Sequence, residues 1–217
     1  NGSDVANPEL TQGKHQNAPF ASISEALSQA TAGDTVYIYP GTYTETFPLT
    51  VPVGVAVKGT GIRSVTVQPT VLTQSNNAFL LNGESTVSDL TVKDFYAPGY
   101  AFSFAPGFTV SSRSPYVQNI TVITKGSVTS LTDPRGFDEG DAGGGARVDG
   151  SLATLASKEA SMLFHSVTFI TPGVDALVMT NGVRVEWLNS FSYFANRGLY
   201  ATQGTLGLAG LGIRFGA

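Results

Sequence analysis

The sequence has no cysteine, which excludes disulfides and thiolate metal ligands as sources of stability. Charged residues make up only 13% of the chain, against roughly 25% in an average globular domain. With 12 Lys and Arg against 16 Asp and Glu, the net charge is −4, and no basic stripe is present, which argues against nucleic acid as a partner. No apolar run approaches the ~18 residues of a membrane helix, so membrane insertion is not expected.

Glycine is abundant, with 25 residues, and an excess of Thr, Ser and Val over Lys and Glu favours β structure with many turns. One helix is predicted on the N-terminal side of this β structure, because Ser22 stands three residues before Glu25, as in a capping box. An apolar stripe with helical spacing accompanies it, formed by Ile23, Ala26, Leu27 and Ala30. The polar residues 1–18 are predicted to be an irregular leader.

Short apolar strands recur after this helix in two interleaved series. The first is VYIY at 36–39, VAVK at 55–58, FLLN at 79–82 and AFSF at 101–104. The second is VTVQ at 65–68, LTVK at 90–93 and ITVI at 120–123. A common period predicts a solenoid, a parallel β-helix with two or three strands per coil, in which each strand stacks on its equivalent. An antiparallel sandwich is the alternative.

The predicted β-helix domain covers residues 19–217 and contains an excursion at about 125–150, where the period breaks. The strand pattern resumes with MLFH at 162–165, VTFI at 167–170, ALVM at 176–179 and VRVEWL at 183–188. The apolar, Gly-rich tail at 205–217 has no polar cap, so we expect a continuing chain or a partner chain to cover that end. The start at Asn1 instead of Met predicts a processed product or a part of a longer protein.

The stretch PFASISEALSQATAGDTVYIYPGTYTE at 19–45, with LTVPVGVAVKGTGIRSVTV at 49–67, resembles the N-terminal entry of pectin-lyase-like proteins. The resemblance implies an all-β chain that forms a right-handed, single-stranded parallel β-helix with an N-terminal capping helix. More narrowly, FLLNGESTVSDLTVKDF and MTNGVRVEWLNSFSYFANRGL are similar to a β-helical domain of virion structural proteins from tailed phages of marine cyanobacteria. That similarity implies a tail, fibre or neck component located in the virion. It also implies other virion proteins as partners and a homo-oligomer such as a trimer.

The excursion carries the only acidic cluster, formed by Asp133, Asp138, Glu139, Asp141 and Asp149. Oxygen ligands could hold Ca²⁺ there, with Asp138, Glu139 and Asp141 as the candidate ligands, although the closing Glu of an EF-hand loop is missing. Paired carboxylates could instead cleave a glycosidic bond. A solvated Gly-rich loop is the third interpretation and the one that the composition favours. No other cofactor is indicated.

Glu45 closes the sequence Gly-Thr-Tyr-Thr-Glu, which is similar to an opening motif of pectin methylesterases. The catalytic aspartates of that family have no counterpart here, so Glu45 is predicted to be structural and no catalytic constellation is recognised. His165 is predicted to be a strand histidine satisfied by a neighbour. Phe102 and Phe104 alternate with small residues and are predicted to form a core ladder. The aromatic side chains proposed for carbohydrate contact are Trp187, Tyr193 and Tyr96.

Three functions follow as hypotheses. The first is a structural module of a phage virion, part of a longer or oligomeric protein. The second is a module that recognises host-surface polysaccharide through aromatic side chains. The third is a polysaccharide depolymerase of the pectin-lyase-like fold, for which the chain shows no catalytic pair of its own.

Overall fold

A computed structural model describes residues 12–15, 17–71, 76–94, 99–109, 113–124, 144–154, 160–202 and 212–216. Over these ranges the chain forms one α-helix, one short 3₁₀ helix and a series of short strands. The described helix is too short and too polar to cross a membrane.

Helix α1 (Ile23–Gln29) begins where the sequence predicts it, because the hydroxyl of Ser22 accepts the backbone N–H of Glu25 at 3.1 Å. Ile23 and Leu27 are buried on its inner face. They pack against the first coil of strands, so the helix covers the end of the apolar core. The predicted N-terminal capping helix is therefore confirmed.

The strands lie in three parallel sheets. In chain order they are β1 (Thr35–Ile38), β2 (Gly41–Glu45), β3 (Leu49–Val51), β4 (Ala56–Gly59), β5 (Val65–Pro69), β6 (Phe79–Leu81), β7 (Thr86–Lys93), β8 (Tyr100–Phe104), β9 (Phe108–Thr109), β10 (Tyr116–Ile123), β11 (Gly144–Asp149), β12 (Ala153–Thr154), β13 (Ser161–Ile170), β14 (Asp175–Thr180), β15 (Arg184–Leu188), β16 (Phe191–Tyr193), β17 (Arg197–Thr202) and β18 (Gly212–Gly216). The 3₁₀ helix is Gly150–Leu152.

Each strand pairs in parallel with its equivalent one coil away. The first sheet runs β1-β4-β7-β10-β13-β15-β18, with β2, β5 and β16 joined to it, and the second runs β17-β14-β11-β8-β6-β3. The third holds β9 and β12 only. This stacking of equivalent strands is the architecture of a parallel β-helix, which confirms the predicted fold class over the antiparallel sandwich.

The predicted strand positions are correct, but the first predicted series mixes two sheets. VYIY and VAVK fall in the first sheet, as β1 and β4, whereas FLLN and AFSF fall in the second sheet, as β6 and β8. The strand that follows β4 in the first sheet is β7, which contains LTVK. Strands of the first and second sheets carry the same apolar alternation. The sequence distance from a strand of one sheet to a strand of the other is also close to the length of one coil, so the period alone does not show to which sheet a strand belongs.

The long strands β7, β10 and β13 bend at one shared corner. Asp89, Asn119 and Ser166 occupy it with φ angles of 60°, 54° and 55°, and Asn189 follows at 45°. The strand register aligns the four residues. The amide of Asn119 donates to Asp89 at 2.8 Å, and that of Asn189 donates to Ser166 at 3.1 Å. We call these four residues the corner ladder; it turns each coil from one strand segment into the next.

The core is a column of apolar side chains that runs through the coils from α1 to Trp187. Phe102 and Phe104 are both 0% exposed, and the ring of Phe102 stacks on Phe79 of the preceding coil at 5.8 Å. The predicted core ladder is confirmed. Stacked rings of neighbouring coils tie each coil to the next through dispersion and apolar burial.

The coil stack resumes earlier than the predicted end of the excursion. Strand β11 occupies Gly144–Asp149 and pairs with both β8 and β14. Of the acidic cluster, Asp149 therefore belongs to a buried strand end and not to a solvated loop. The predicted Ca²⁺ ligands Asp138, Glu139 and Asp141 lie outside the described residues, as does Asp133.

Candidate functional site

Trp187, proposed for carbohydrate contact, packs in the core instead of on the surface. Its side chain is 9% exposed, and its ring stacks on Phe169 at 5.3 Å. The indole N–H donates to the carbonyl of Ser190 at 3.0 Å. The strand register pairs Trp187 with the buried residue Phe164 of the preceding coil, which places the indole among the core rings. This burial gives Trp187 a packing role and leaves little of its ring for a sugar.

Tyr193 keeps an open surface. It is 49% exposed on β16, and its ring lies 6.5 Å from that of Phe194, which is 69% exposed. Tyr96, the third aromatic residue proposed for carbohydrate contact, lies outside the described residues. The predicted carbohydrate residues are therefore not brought into one site, since one is in the core and one is on the surface of the last coils.

Glu45 holds the capping helix in place. It is 4% exposed, and its two carboxylate oxygens accept the backbone N–H groups of Ile23 at 2.6 Å and Ser24 at 3.3 Å. These are N–H groups of the first turn of α1, which lack partners within a helix. The prediction that Glu45 is structural is confirmed.

His165 lies on the outer face of the first sheet beside Tyr116. Its Nδ1 atom is 2.9 Å from the phenol oxygen, and the two rings are stacked with centroids 6.3 Å apart. Burial raises the pKa of the Tyr116 phenol. The two residues stand on neighbouring coils, so this hydrogen bond links β10 to β13 and confirms the prediction of a satisfied strand histidine.

A groove of about 260 Å³ opens on the outer face of the second sheet. Four consecutive coils supply its walls through β8, β11, β14 and β17. The residues that line it combine aromatic rings, guanidinium groups and a carboxylate: Tyr100, Arg147, Asp175, Val178, Thr180, Arg197 and Tyr200. We call it the sheet-two groove. It is the best candidate for a functional site in the described part of the chain.

Asp175 and Arg197 form the strongest polar contact of the groove. They are register partners on β14 and β17, and Arg197 donates from Nε and Nη2 to the two oxygens of Asp175 at 2.7 and 2.6 Å. Such a two-pronged contact fixes the plane of the guanidinium. That plane lies over the ring of Tyr200 at 3.7 Å, a cation–π arrangement that positions both side chains.

Arg147, which also lines the groove, is held in a second ion pair. Its Nη2 atom donates to Asp149 at 3.1 Å, while the other oxygen of Asp149 accepts from the backbone and hydroxyl of Ser151 and from Asn181. Burial alone would raise the pKa of Asp149, but the hydrogen bonds from Ser151 and Asn181 outweigh it and lower the pKa. Asp149 therefore stays ionised and anchors Arg147 beside the groove.

Tyr100 lies flat over the backbone of β11. A Cβ atom at Gly144 would stand only 2.3 Å from Cε1 of the Tyr100 ring, so the missing side chain at Gly144 gives the ring its place. Burial is the main cause that raises the pKa of the Tyr100 phenol. The phenol is therefore protonated at neutral pH and can donate a hydrogen bond into the groove.

The lining groups are suited to binding. The guanidinium groups and the phenol donate hydrogen bonds, the carboxylate of Asp175 accepts them, and the tyrosine rings offer apolar contact. Among the described residues, no group of three His, Cys, Asp or Glu side chains could hold a metal ion. The groove therefore has the chemistry of a recognition surface for a polar ligand.

The sequence patterns did not single out Asp175 and Arg197 or the other residues that line the groove. One signal could have found the pair: Asp175 and Arg197 are 22 residues apart, one coil of the solenoid. Residues one coil apart are neighbours on a face, so aligning the coils would have placed opposite charges side by side.

A family model described as "Protein of unknown function (DUF1565)" matches residues 5–122, which is more than half of the 217 residues. The match spans the coils from α1 almost to the end of β10. No curated protein and no solved structure matches the sequence.

Proposed function

The chain belongs to the family of proteins of unknown function DUF1565, and we propose that it is a structural module of a phage virion. In this proposal it is a stiff segment of a tail, fibre or neck appendage and works within a longer or oligomeric protein. The resemblance of its coils to β-helical virion domains is the reason for proposing a virion. The continuous core column is the observation that supports a structural role, because it makes the chain a stack of tightly coupled coils.

Rigidity is what such an appendage needs. Apolar side chains of the coils from α1 to Trp187 are buried in one column, and side-chain hydrogen bonds join consecutive coils at the corner ladder. In a stack of this kind each coil is stabilised by its neighbours. Three ionisable side chains in the described part of the chain help to hold the stack together: Glu45 holds the helix, His165 pairs with Tyr116, and Asp149 binds three neighbours.

Mass spectrometry of tailed particles tests this proposal. Particles from a culture that produces the protein are purified on two successive density gradients, and peptides of the chain are quantified in every fraction. We expect the peptides to follow the known tail proteins through both gradients at a constant ratio. Peptides that stay in the soluble fractions would contradict a virion role.

A second candidate function, recognition of a surface polysaccharide, is favoured by the sheet-two groove. Arg197 is 44% exposed on its side chain while Asp175 and Tyr200 hold it in a fixed plane. Preorganised donors next to aromatic rings favour binding, since little conformational freedom is lost when the ligand binds. A virion appendage that carried such a groove would contact the surface of the host cell.

Binding to extracted cell-surface polysaccharide tests this second candidate. We expect Arg197→Ala and Tyr200→Ala to weaken binding at least tenfold. Tyr37→Ala is the matched control, because Tyr37 is an exposed aromatic residue (51%) on β1 in the other sheet. Equal binding by all three variants would place the contact elsewhere, and loss in the Tyr37 variant alone would contradict the groove as the site.

A further inference from the structure

We propose that the ligand of the sheet-two groove is an uncharged, hydroxyl-rich glycan and not an acidic polysaccharide. This inference rests on the second candidate function, polysaccharide binding, and adds the chemical class of the ligand. It follows from the way in which the charges of the groove are arranged.

The charges in and next to the groove compensate each other. The guanidinium of Arg197 contacts both oxygens of Asp175, and that of Arg147 contacts Asp149. Among the described residues, these two positive and two negative groups form two ion pairs, with no excess of either sign. An anion-binding surface needs uncompensated positive charge, as in clusters of Arg or Lys that recognise phosphate or carboxylate.

An acidic sugar would have to compete with carboxylates that are already in place. The side chain of Asp175 is only 12% exposed, so a ligand carboxylate that displaced it from Arg197 would leave a poorly solvated charge without its partner. Removing one partner of such a pair is strongly unfavourable. A ligand carboxylate placed beside the intact pair would find the guanidinium charge of Arg197 already compensated by Asp175.

Hydroxyl groups fit the same surroundings without disturbing the pairs. A sugar hydroxyl both donates and accepts, and the groove sets donors beside acceptors: the exposed edges of two guanidinium groups, the Tyr100 phenol and the carboxylate of Asp175. The tyrosine rings can contact the C–H faces of a sugar ring. A volume of about 260 Å³ lies just below the usual range of ligand pockets, roughly 300–1,000 Å³. The groove therefore suits a short segment of a glycan chain.

Affinity electrophoresis against two sets of polysaccharides tests the inference. The uncharged set is dextran, mannan, galactan and amylose; the acidic set is polygalacturonate, alginate and hyaluronate. We expect the protein to bind at least one uncharged polymer with an affinity that changes less than twofold between low and high salt. Arg197→Ala should weaken that binding at least tenfold. The fluorescence of Trp187, the single tryptophan, shows whether the variant keeps an intact fold.

Asp175→Asn changes the charge of the groove in the direction opposite to Arg197→Ala. It removes one negative charge and leaves the groove with a net positive charge, so we expect it to gain at least tenfold in affinity for the acidic set at low salt. Salt-sensitive binding of acidic polymers by the unaltered protein would overturn the inference and leave polysaccharide binding intact. Binding of neither set would overturn polysaccharide binding itself, and the inference with it.

Discussion

At the scale of single residues, two buried carboxylates, Glu45 and Asp149, stabilise the architecture. Asp149 is the clearest case, since its side chain is only 9% exposed and its carboxylate receives hydrogen bonds from Ser151, Asn181 and Arg147. Through Asn181 it ties β11 to the turn after β14, on the next coil. The sequence placed Asp149 in an acidic loop because the charge pattern does not reveal that a strand begins at Gly144.

Replacement of this carboxylate should destabilise the protein in a pH-dependent way. Hydrogen bonds hold the folded pKa of Asp149 below its value in the unfolded chain, which is about 3.9. The stabilisation is therefore present above that unfolded value and is lost as the pH falls through the lower folded pKa. We expect Asp149→Asn to reduce the free energy of unfolding by about 2 kcal/mol at pH 7, and the difference from the unaltered protein should shrink below about pH 3.9.

Urea unfolding between pH 7 and pH 3 measures this difference. Asp94→Asn is the control, because Asp94 sits at the surface beside Lys93 at 3.5 Å and such pairs contribute less than about 1 kcal/mol. If Asp149→Asn lowered the free energy of unfolding by the same amount at pH 7 and pH 3, the charge of Asp149 would play no part in stability.

Trp187 should report on folding and not on glycan binding. It is the single tryptophan of the chain, and its ring is buried against Phe164 and Phe169. We expect its emission to be blue-shifted and poorly quenched by acrylamide, and Trp187→Ala to cost about 3–5 kcal/mol of stability. Tyr193→Ala, at an exposed aromatic position on the next strand, should change stability by less than about 0.5 kcal/mol.

Fluorescence during glycan titration and urea unfolding of both variants check this expectation. A saturating shift of the tryptophan emission on adding polysaccharide, with stability unaffected by Trp187→Ala, would return Trp187 to the list of contact residues.

At the scale of elements, the corner ladder decides how each coil turns. Left-handed backbone is unfavourable for most residues but is tolerated by Asn and Asp. Three of the four ladder positions carry one of these residues, and the fourth carries Ser166. Side chains that also bond between coils, as Asn119 does to Asp89, make the corner a place where chain direction and coil stacking are fixed together.

Two substitutions at Asn119 separate these contributions. Both Asn119→Gly and Asn119→Ala remove the hydrogen bond to Asp89, but only alanine is strained at a φ of 54°. We expect the alanine variant to be less stable than the glycine variant by about 1 kcal/mol. Thermal unfolding followed by circular dichroism measures the difference, and an alanine variant as stable as the glycine variant would argue against a left-handed corner.

The sequence was sufficient to predict the helix, many of the strands and the solenoid class, because capping and alternation are local patterns, but it placed β11 in the excursion. It did not assign the strands to sheets: FLLN and LTVK have the same alternation, and only the register shows that β7 follows β4. The groove was hidden for the same reason. Its residues come from four coils, so Asp175 and Arg197 become neighbours only once the length of a coil is known.

At the scale of the whole molecule, the stack of coils depends on helix α1, which covers its first coil. Helix α1 buries Ile23 and Leu27 over the first coil, and Glu45 secures the start of the helix. An uncovered end of a parallel sheet would present unpaired backbone groups and apolar surface to other chains. The capping helix therefore protects against self-association as well as contributing stability.

Leu27→Asp should detach helix α1 from the first coil, because a charge cannot be accommodated at a position that is 4% exposed. We expect the variant to keep most of its β signal in circular dichroism but to form large aggregates in sedimentation velocity. Glu25→Gln, on the more open side of the same helix, is the control and should sediment like the unaltered protein. A Leu27→Asp variant that sediments normally would contradict the protective role of the helix.

Electron microscopy with a gold-labelled antibody tests the central claim, that this stack of coils is a structural part of a phage particle. An antibody raised against the purified chain is applied to tailed particles from a culture that produces the protein. The account predicts gold at one fixed position on the tail, fibre or neck of most particles. Unlabelled particles, with the antigen present only in the medium or on cells, would contradict it.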